Sequence, residues 1–123
     1  MDITPQLAEG AQRITAYGAG VIKVNQESFD TPLIIHPDRV VVWDNPAIDE
    51  AGIDALLGQQ LGSLEILLIG AGEQSEFLPP ALRMKIREAT GAGVEVMDTG
   101  AACRTYNVLL AEGRLVAAAV MPV

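Results

Sequence analysis

Residues 97–107, MDTGAACRTYN, carry the side chains whose types and spacing could most readily support chemistry. The Asp-Thr-Gly is typical of a helix start, and Cys103 and Arg104 follow within the first turns. Backbone N–H groups and the helix dipole favour an anion at such a position, so a thiolate at Cys103 could be stabilised there, with Arg104 adding positive charge. The segment is a candidate for thiol chemistry, for anion binding or for tight packing.

Packing is the interpretation that we favour for Cys103. The single histidine, His36, belongs to a distant β segment, so no local base accompanies the cysteine. A free cysteine is also commonly a small buried hydrophobe. One histidine and one cysteine argue against a zinc site, and we expect neither a metal nor an organic cofactor.

The helix that begins near Thr99 has a predicted core stripe and a predicted outer flank. At about 100° per residue, Ala102, Tyr106 and the following leucines share one face. Arg104 and Asn107 lie on the opposite flank, and Cys103 falls between the two. Asp98 or Thr99 is expected to cap the helix, which runs to about residue 112 before Gly113.

A second loop, GAGEQSEF at residues 70–77, begins like a dinucleotide-binding fingerprint. Ser75 replaces the third glycine, and Glu73 and Glu76 would repel a pyrophosphate, so a nucleotide site is not expected. The glycines are expected instead to permit a positive φ or a close approach of the backbone.

The strands before these two loops determine how the loops are placed. Residues 64–69 and 93–97 are predicted strands, separated by a helix that opens at Pro79-Pro80 and closes at Gly91. Parallel neighbours joined by a right-handed crossover end at the same sheet edge, so the loops are predicted to face each other across a crevice. The candidate crevice residues are Gly70, Gly72, Asp98, Thr99, Cys103, Arg104, Thr105 and Asn107.

The rest of the pattern predicts an α/β fold with helices on both faces of the sheet. Residues 13–24 predict a strand that bends or bulges at its glycines. Residues 31–36 and 39–43 predict two strands joined by a hairpin or a sharp corner at Pro37-Asp38, and apolar spacing between 48 and 61 predicts a helix. The last strand, at 115–121, follows so short a connection that mixed pairing is expected. If this strand lies at a sheet edge it could form a homodimer, although a buried position is favoured.

Composition favours one compact domain over residues 1–123. The chain is 50% hydrophobic and has one cysteine, which fits a reducing cytoplasm. No apolar stretch approaches the roughly 20 residues of a membrane span. The first ten residues, MDITPQLAEG, lack the basic and apolar run of a secretory or transit peptide, so a cytoplasmic location is expected.

The charge distribution excludes one class of partner and offers another. A formal net charge of −8 opposes nucleic-acid binding. Residues 27–76 contain ten acidic residues and one basic residue, Arg39, whereas basic residues gather at Arg83, Lys85, Arg87 and Arg104. The acidic stretch is either a solvated face or a docking surface for a basic partner protein.

Several motifs, in order, resemble a family of small domains of unknown function. They are TPLIIHPDRVVVW, IGAG, LPP, MDTGAACRTYN and LLAEGR, and the resemblance extends over almost the whole chain. The family includes bacterial and archaeal proteins and the mitochondrial complex I assembly factor 3. The resemblance implies a three-layer α/β fold with a mixed central sheet and an additional antiparallel β layer from the N-terminal half. It further implies that the matching crevice residues line a binding crevice.

Two functional hypotheses follow. The leading one is a non-enzymatic protein-interaction or assembly factor of a bacterial cytoplasm, similar to complex I assembly factor 3, with an unidentified protein partner. The alternative is a small-molecule or anion-binding protein, or an enzyme, that uses the crevice around Cys103 and Arg104.

Overall fold

The computed structural model describes residues 11–123, which form eight strands and three helices. The strands are β1 (Ile14–Gly18), β2 (Val21–Val24), β3 (Glu27–Phe29), β4 (Leu33–His36), β5 (Arg39–Val42), β6 (Ile66–Gly70), β7 (Gly93–Met97) and β8 (Val116–Val120). The helices are α1 (Glu50–Leu57), α2 (Pro80–Thr90) and α3 (Thr99–Ala111). The first ten residues, on which the expectation of no leader peptide rests, lie outside this range.

The central sheet has five strands in the order β5-β4-β8-β6-β7. β6 pairs in parallel with both β7 and β8, as the predicted crossover requires. β4 runs antiparallel to β8 and to β5, so the sheet is mixed as expected. The mixed character does not come from the short connection into β8, because helix α3 makes that connection a crossover between parallel strands. It comes from the β4–β5 hairpin, which turns at Pro37-Asp38 as predicted.

The strand predicted over residues 13–24 is two strands. β1 and β2 form an antiparallel hairpin, and β3 adds to β2 to complete a separate three-stranded sheet. The backbone reverses at Gly18, Ala19 and Gly20, which all have positive φ angles. A register shift between Ile14 and Ala16 shows that β1 does carry an irregularity. The glycines therefore form the turn, and the bulge lies nearer the start of β1.

Alternating side chains of the central sheet build two cores, one on each face. One core joins the sheet to α1 and α2, through residues such as Ile53, Leu56 and Ile86. The other joins it to α3 and to the three-stranded sheet, through residues such as Ile22 and Tyr106. The result is the three-layer arrangement that the resemblance implied, with helices on both faces. α3 and the three-stranded sheet share one face.

β8 lies in the interior of the central sheet. Its residues are fully buried, with β4 on one side and β6 on the other. The favoured buried position is confirmed, so β8 offers no edge for pairing with a second subunit.

The outer edge of β7 is partly covered by side chains from neighbouring segments. The guanidinium of Arg83 and the hydroxyl of Ser75 donate to the carbonyls of Val94 and Val96, on the outer side of β7. Side chains therefore occupy hydrogen-bonding positions that an exposed edge would offer to another strand. Among residues 11–123, no helix is long and apolar enough to cross a membrane.

Candidate functional site

The loops after β6 and β7 lie beside each other at one edge of the sheet, but they are in direct contact where the sequence predicted a crevice. The backbone N–H of Thr99 donates to Gly72 O at 2.8 Å, and Gly72 N–H donates to Thr99 Oγ1 at 3.0 Å. The Thr99 hydroxyl in turn donates to Met121 O at 2.6 Å. A single buried side chain thus joins the loop after β6 to the segment that follows β8.

Gly70 belongs to the same junction. A Cβ atom placed on this glycine would lie 3.0 Å from both Thr99 Cα and Val120 Cγ1. Such a contact is too tight for an ordinary side chain, so the close approach expected of the glycine-rich loop is real at this position. Gly72 has the positive φ, at 99°, that the second glycine was expected to provide. Backbone contacts fill the space between the loops here.

The start of α3 is organised as the sequence predicted. Asp98 is the N-cap, and its Oδ1 accepts from the N–H of Ala101 at 2.9 Å. One turn further on, Thr105 Oγ1 lies 3.8 Å from the sulfur of Met97. Asp98 therefore caps the helix, and the Thr105 hydroxyl contacts the last residue of β7.

The flank of α3 that was predicted to be an outer one is covered by β1. Asn107 donates from Nδ2 to Ile14 O at 2.6 Å and accepts at Oδ1 from Ile14 N at 3.0 Å. Tyr106 donates its hydroxyl to Gln12 O at 2.6 Å. Asn107 satisfies the backbone donor and the backbone acceptor of Ile14 at once, so it fixes the position of β1 along α3.

Gly100 and Arg104 complete this contact between α3 and β1. A Cβ atom on Gly100 would approach the ring and hydroxyl of Tyr17 to 3.1 Å, so the glycine makes room for the aromatic ring. The guanidinium of Arg104 donates to the Tyr17 hydroxyl. Tyr17 therefore lies at the contact between β1 and α3.

Cys103 is part of the core. It is 1% exposed and packs with the cluster that includes Ala102 and Tyr106. Burial raises the pKa of its thiol to about 11, and the charge of Asp98 acts in the same direction, while Arg104 opposes it. The neutral thiol is thus the stable form at neutral pH, as expected for a packing residue.

A hollow of about 560 Å³ opens between β1 and α3, beside the core position of Cys103. We call it the β1–α3 hollow. Its lining comes from Arg13, Ile14, Thr15, Ala16, Tyr17, Cys103, Arg104 and Asn107. Three of the eight predicted crevice residues line it.

The eight predicted site residues therefore separate into three groups, one of which is Asp98 and Thr105, with their contacts at the start of α3 and to Met97. Gly70, Gly72 and Thr99 form the buried junction between sheet-edge loops, whereas Cys103, Arg104 and Asn107 border the β1–α3 hollow. Sequence reasoning missed Arg13 and the backbone of β1 as parts of this hollow. The contacts between β1 and α3 join residues that are more than 80 positions apart in the sequence. The only local signal was the mixture of β-branched residues and glycines in residues 13–24.

His36 has a structural environment of its own. Nδ1 lies 2.6 Å from Asp38 Oδ1 and Nε2 lies 3.1 Å from Leu61 O, so the ring ties the β4–β5 turn to the loop after α1. The imidazole is also the main reason that the pKa of the Asp38 carboxyl falls below its usual value. Within residues 11–123, no group of three or more His, Cys, Asp and Glu side chains is arranged to hold a metal ion.

Many of the charged side chains are used within the fold. Lys85 of α2 pairs with Asp54 and Glu50 of α1, and Arg114 pairs with Glu65 at 2.6 Å. Lys85 and Arg114 thus neutralise part of the acidic stretch, at Glu50, Asp54 and Glu65.

One loop of the acidic stretch keeps its charge at the surface. Glu73 and Glu76 are exposed, and neither forms an ion pair with any residue from 11 to 123. Phe77, beside them, is 78% exposed. We call residues 73–77 the acidic loop.

Comparison with known proteins shows the family. The family described as "Protein of unknown function (DUF498/DUF598)" matches residues 14–121. The chain belongs to the DUF498/DUF598 family. An uncharacterized protein of Rhodobacter capsulatus in the comparison is 38% identical over 113 residues, which are 92% of this chain and 86% of that protein. The resemblance expected from the motifs is confirmed.

Two further relatives of this DUF498/DUF598 protein bear on fold and function. NADH dehydrogenase (ubiquinone) 1 alpha subcomplex assembly factor 3 of Xenopus tropicalis is 32% identical over 111 residues, or 89% of this chain. The chain spans 60% of that assembly factor's length. A Bordetella parapertussis protein of known crystal structure is 38% identical in sequence to this chain. The two structures superpose with a TM-score of 0.80 over 94% of this chain and 99% of the other.

Proposed function

We propose that this protein is a non-enzymatic protein-interaction or assembly factor of the bacterial cytoplasm. The observation that carries the proposal is the 32% identity to complex I assembly factor 3 over 89% of the chain. The proposed role concerns the domain that the two proteins share, since 40% of the assembly factor lies outside the match.

The roles of the motif residues support an interaction role over a catalytic one. Thr99, Tyr106 and Asn107 use their polar groups to hold backbone segments together. Cys103, the one thiol, is buried with a raised pKa. A thiolate nucleophile would need the opposite environment. Within the alternative function, this environment argues against thiol chemistry at Cys103 and leaves small-molecule or anion binding near Arg104 as the hypothesis.

The acidic loop is the surface that we propose for a partner. Glu73 and Glu76 supply negative charge that no ion pair within residues 11–123 neutralises, and Phe77 supplies an apolar ring that is 78% exposed. Buried aromatic anchors surrounded by polar residues dominate the energy of many interfaces. A basic protein surface with an apolar pocket fits this combination.

Crosslinking and affinity purification from the native organism test the proposal. The tagged wild-type chain is compared with a triple variant, Glu73→Gln, Glu76→Gln and Phe77→Ala. A double variant on other exposed carboxylates, Glu88→Gln and Glu112→Gln, serves as the control for charge.

The wild-type chain and the control are expected to recover the same protein partner, and the triple variant is expected to lose it. Loss of an anchor of this type typically costs about 2 kcal/mol or more, a factor of roughly 30 in affinity. Repeated recovery of no protein partner would contradict the interaction role. Equal recovery by all three chains would contradict the assignment of the acidic loop.

A further inference from the structure

The β1–α3 hollow has a charge opposite to that of the protein. The chain as a whole has a net charge of −8. Among the described residues that line this hollow, two are arginines and none is acidic. A second hollow, lined by residues that include Val24, Phe29 and Val40, has Glu27 as its only charged lining residue. The β1–α3 hollow is therefore lined by positive charge that the second hollow does not have.

The two arginines keep their charge unneutralised. Within residues 11–123, neither Arg13 nor Arg104 forms an ion pair with a carboxylate. Arg39, Lys85 and Arg114 do form such pairs, whereas Lys23, Arg83 and Arg87, which lie outside this hollow, form none with the described residues. Two cations that border one hollow without an acid repel each other, and an anion placed between them removes that repulsion.

The donors that remain are suited to an oxygen anion. A guanidinium has five N–H donors in a planar fork that matches carboxylate and phosphate oxygens. Arg104 uses one of its nitrogens to donate to the Tyr17 hydroxyl. Because that hydroxyl acts as the acceptor, its own proton is available to a ligand. Arg13, Arg104 and Tyr17 thus offer several donors to the same space.

The wall that carries these donors is fixed before any ligand arrives. Asn107 holds both backbone groups of Ile14, and the Thr15 hydroxyl donates to Asn25 O at 2.8 Å. The backbone of this wall therefore loses little entropy on binding, and the cost of ordering falls mainly on the Arg13 side chain. Its volume of about 560 Å³ lies within the range of roughly 300–1,000 Å³ that is usual for small-molecule sites.

We propose that the β1–α3 hollow binds the carboxylate or phosphate group of a small molecule, with Arg13 and Arg104 as its charged ligands and the Tyr17 hydroxyl as a further donor. Cys103 contributes only part of the lining. The proposal is independent of the acidic loop and of the protein-interaction role, because the two sites share no residue.

NMR titration of the full chain tests the site with two probes, inorganic phosphate and succinate, at constant ionic strength balanced with sodium chloride. Each probe is taken to about 10 mM, several times the dissociation constant of a weak site near 1 mM. Saturable shifts are expected at the Nε–H of Arg13 and Arg104 and at the amides of residues 13–17. The probe with the lower dissociation constant identifies the group as phosphate or carboxylate.

Three variants separate a built site from general charge. Arg13→Gln and Arg104→Gln are each expected to raise the dissociation constant about tenfold, the usual scale for one charge-assisted hydrogen bond. Arg87→Gln removes an exposed arginine that lies outside the hollow, and it is expected to leave the dissociation constant unchanged. Arg13 makes no side-chain hydrogen bond with the described residues, so Arg13→Gln tests the site without disturbing the contact to Tyr17.

Three results would overturn the proposal. They are no saturable shift with either probe, binding that survives both hollow variants, and an equal loss with Arg87→Gln. For each variant, the amide signals of residues outside the hollow should match those of the wild type, which establishes that the fold is intact. Recovery of a protein partner through the acidic loop is measured in a separate experiment. A failure of anion binding therefore does not count against the protein-interaction role, and the reverse also holds.

Discussion

Replacing Thr99 by valine tests whether one buried hydroxyl holds the sheet-edge loops together. Thr99 is fully buried, and its Oγ1 accepts from Gly72 N at 3.0 Å and donates to Met121 O at 2.6 Å. Valine has nearly the same shape but leaves both backbone groups without this partner. Two lost hydrogen bonds, with partly buried groups left unpaired, predict a loss of about 2–4 kcal/mol in the free energy of unfolding.

Urea denaturation followed by the fluorescence of Trp43, which is buried in the core, measures this loss. With a slope of about 1.5 kcal/mol per molar urea, the midpoint is expected to fall by about 1–3 M. Thr99→Ser is the matched control, since it keeps the hydroxyl and removes only a methyl group at a cost of about 1 kcal/mol. If Thr99→Val were no less stable than Thr99→Ser, the reasoning would be refuted.

Three more predictions follow from buried contacts. Asn107→Ala removes both hydrogen bonds to Ile14 and is expected to lower the free energy of unfolding by about 2–3 kcal/mol in urea denaturation; no change would mean that β1 is held by packing alone. Cys103 is expected to resist alkylation in the native state and to react on unfolding. Burial raises the Cys103 pKa from 9.0 to about 11, so stability present below pH 9.0 is lost as the pH rises through 11. Denaturation midpoints of Cys103→Ala should show a smaller alkaline decline, and rapid native alkylation would contradict the buried position. Gly52→Ala places a methyl group 2.0 Å from Ala47 O, so this variant is expected to have a lower melting temperature than the wild type. A far-UV spectrum and melting temperature equal to wild type would count against this packing of α1.

The second half of the fold was predictable because its signals are local. Pro80 at the first position of α2 and Gly91 with a left-handed backbone at its end mark the helix in the sequence. The apolar run of β6 and the cap at Asp98 are equally visible. A strand-helix-strand order with these boundaries leaves few topologies, so the parallel pairing of β6 with β7 follows.

The hairpin of β1 and β2 was mispredicted because glycine is ambiguous in a strand. Gly18 and Gly20 are compatible with a bulge or with a reversal of the chain. Ala19 decides between the two through its positive φ of 53°, which alanine rarely adopts. An alanine in the sequence gives no sign of this conformation, which occurs here in the turn between the paired strands β1 and β2.

The candidate site was only half predictable for a related reason. Helical periodicity correctly placed Arg104 and Asn107 away from Ala102 and Tyr106, but it could not show what covers that flank. The cover is β1, which reaches Asn107 across 93 residues. A periodic pattern reports which residues share a face, and the partner of that face depends on pairing between distant segments.

The contacts of the motif show that most of its polar side chains hold the fold together. Asp98, Thr99 and Asn107 each satisfy specific backbone groups. A change at any of them therefore costs stability before it affects binding. Arg104 differs, because its contact with Tyr17 uses only part of its donor capacity and no carboxylate among the described residues neutralises it. The free energy of unfolding should thus report on the first three residues, whereas anion affinity should report on Arg104.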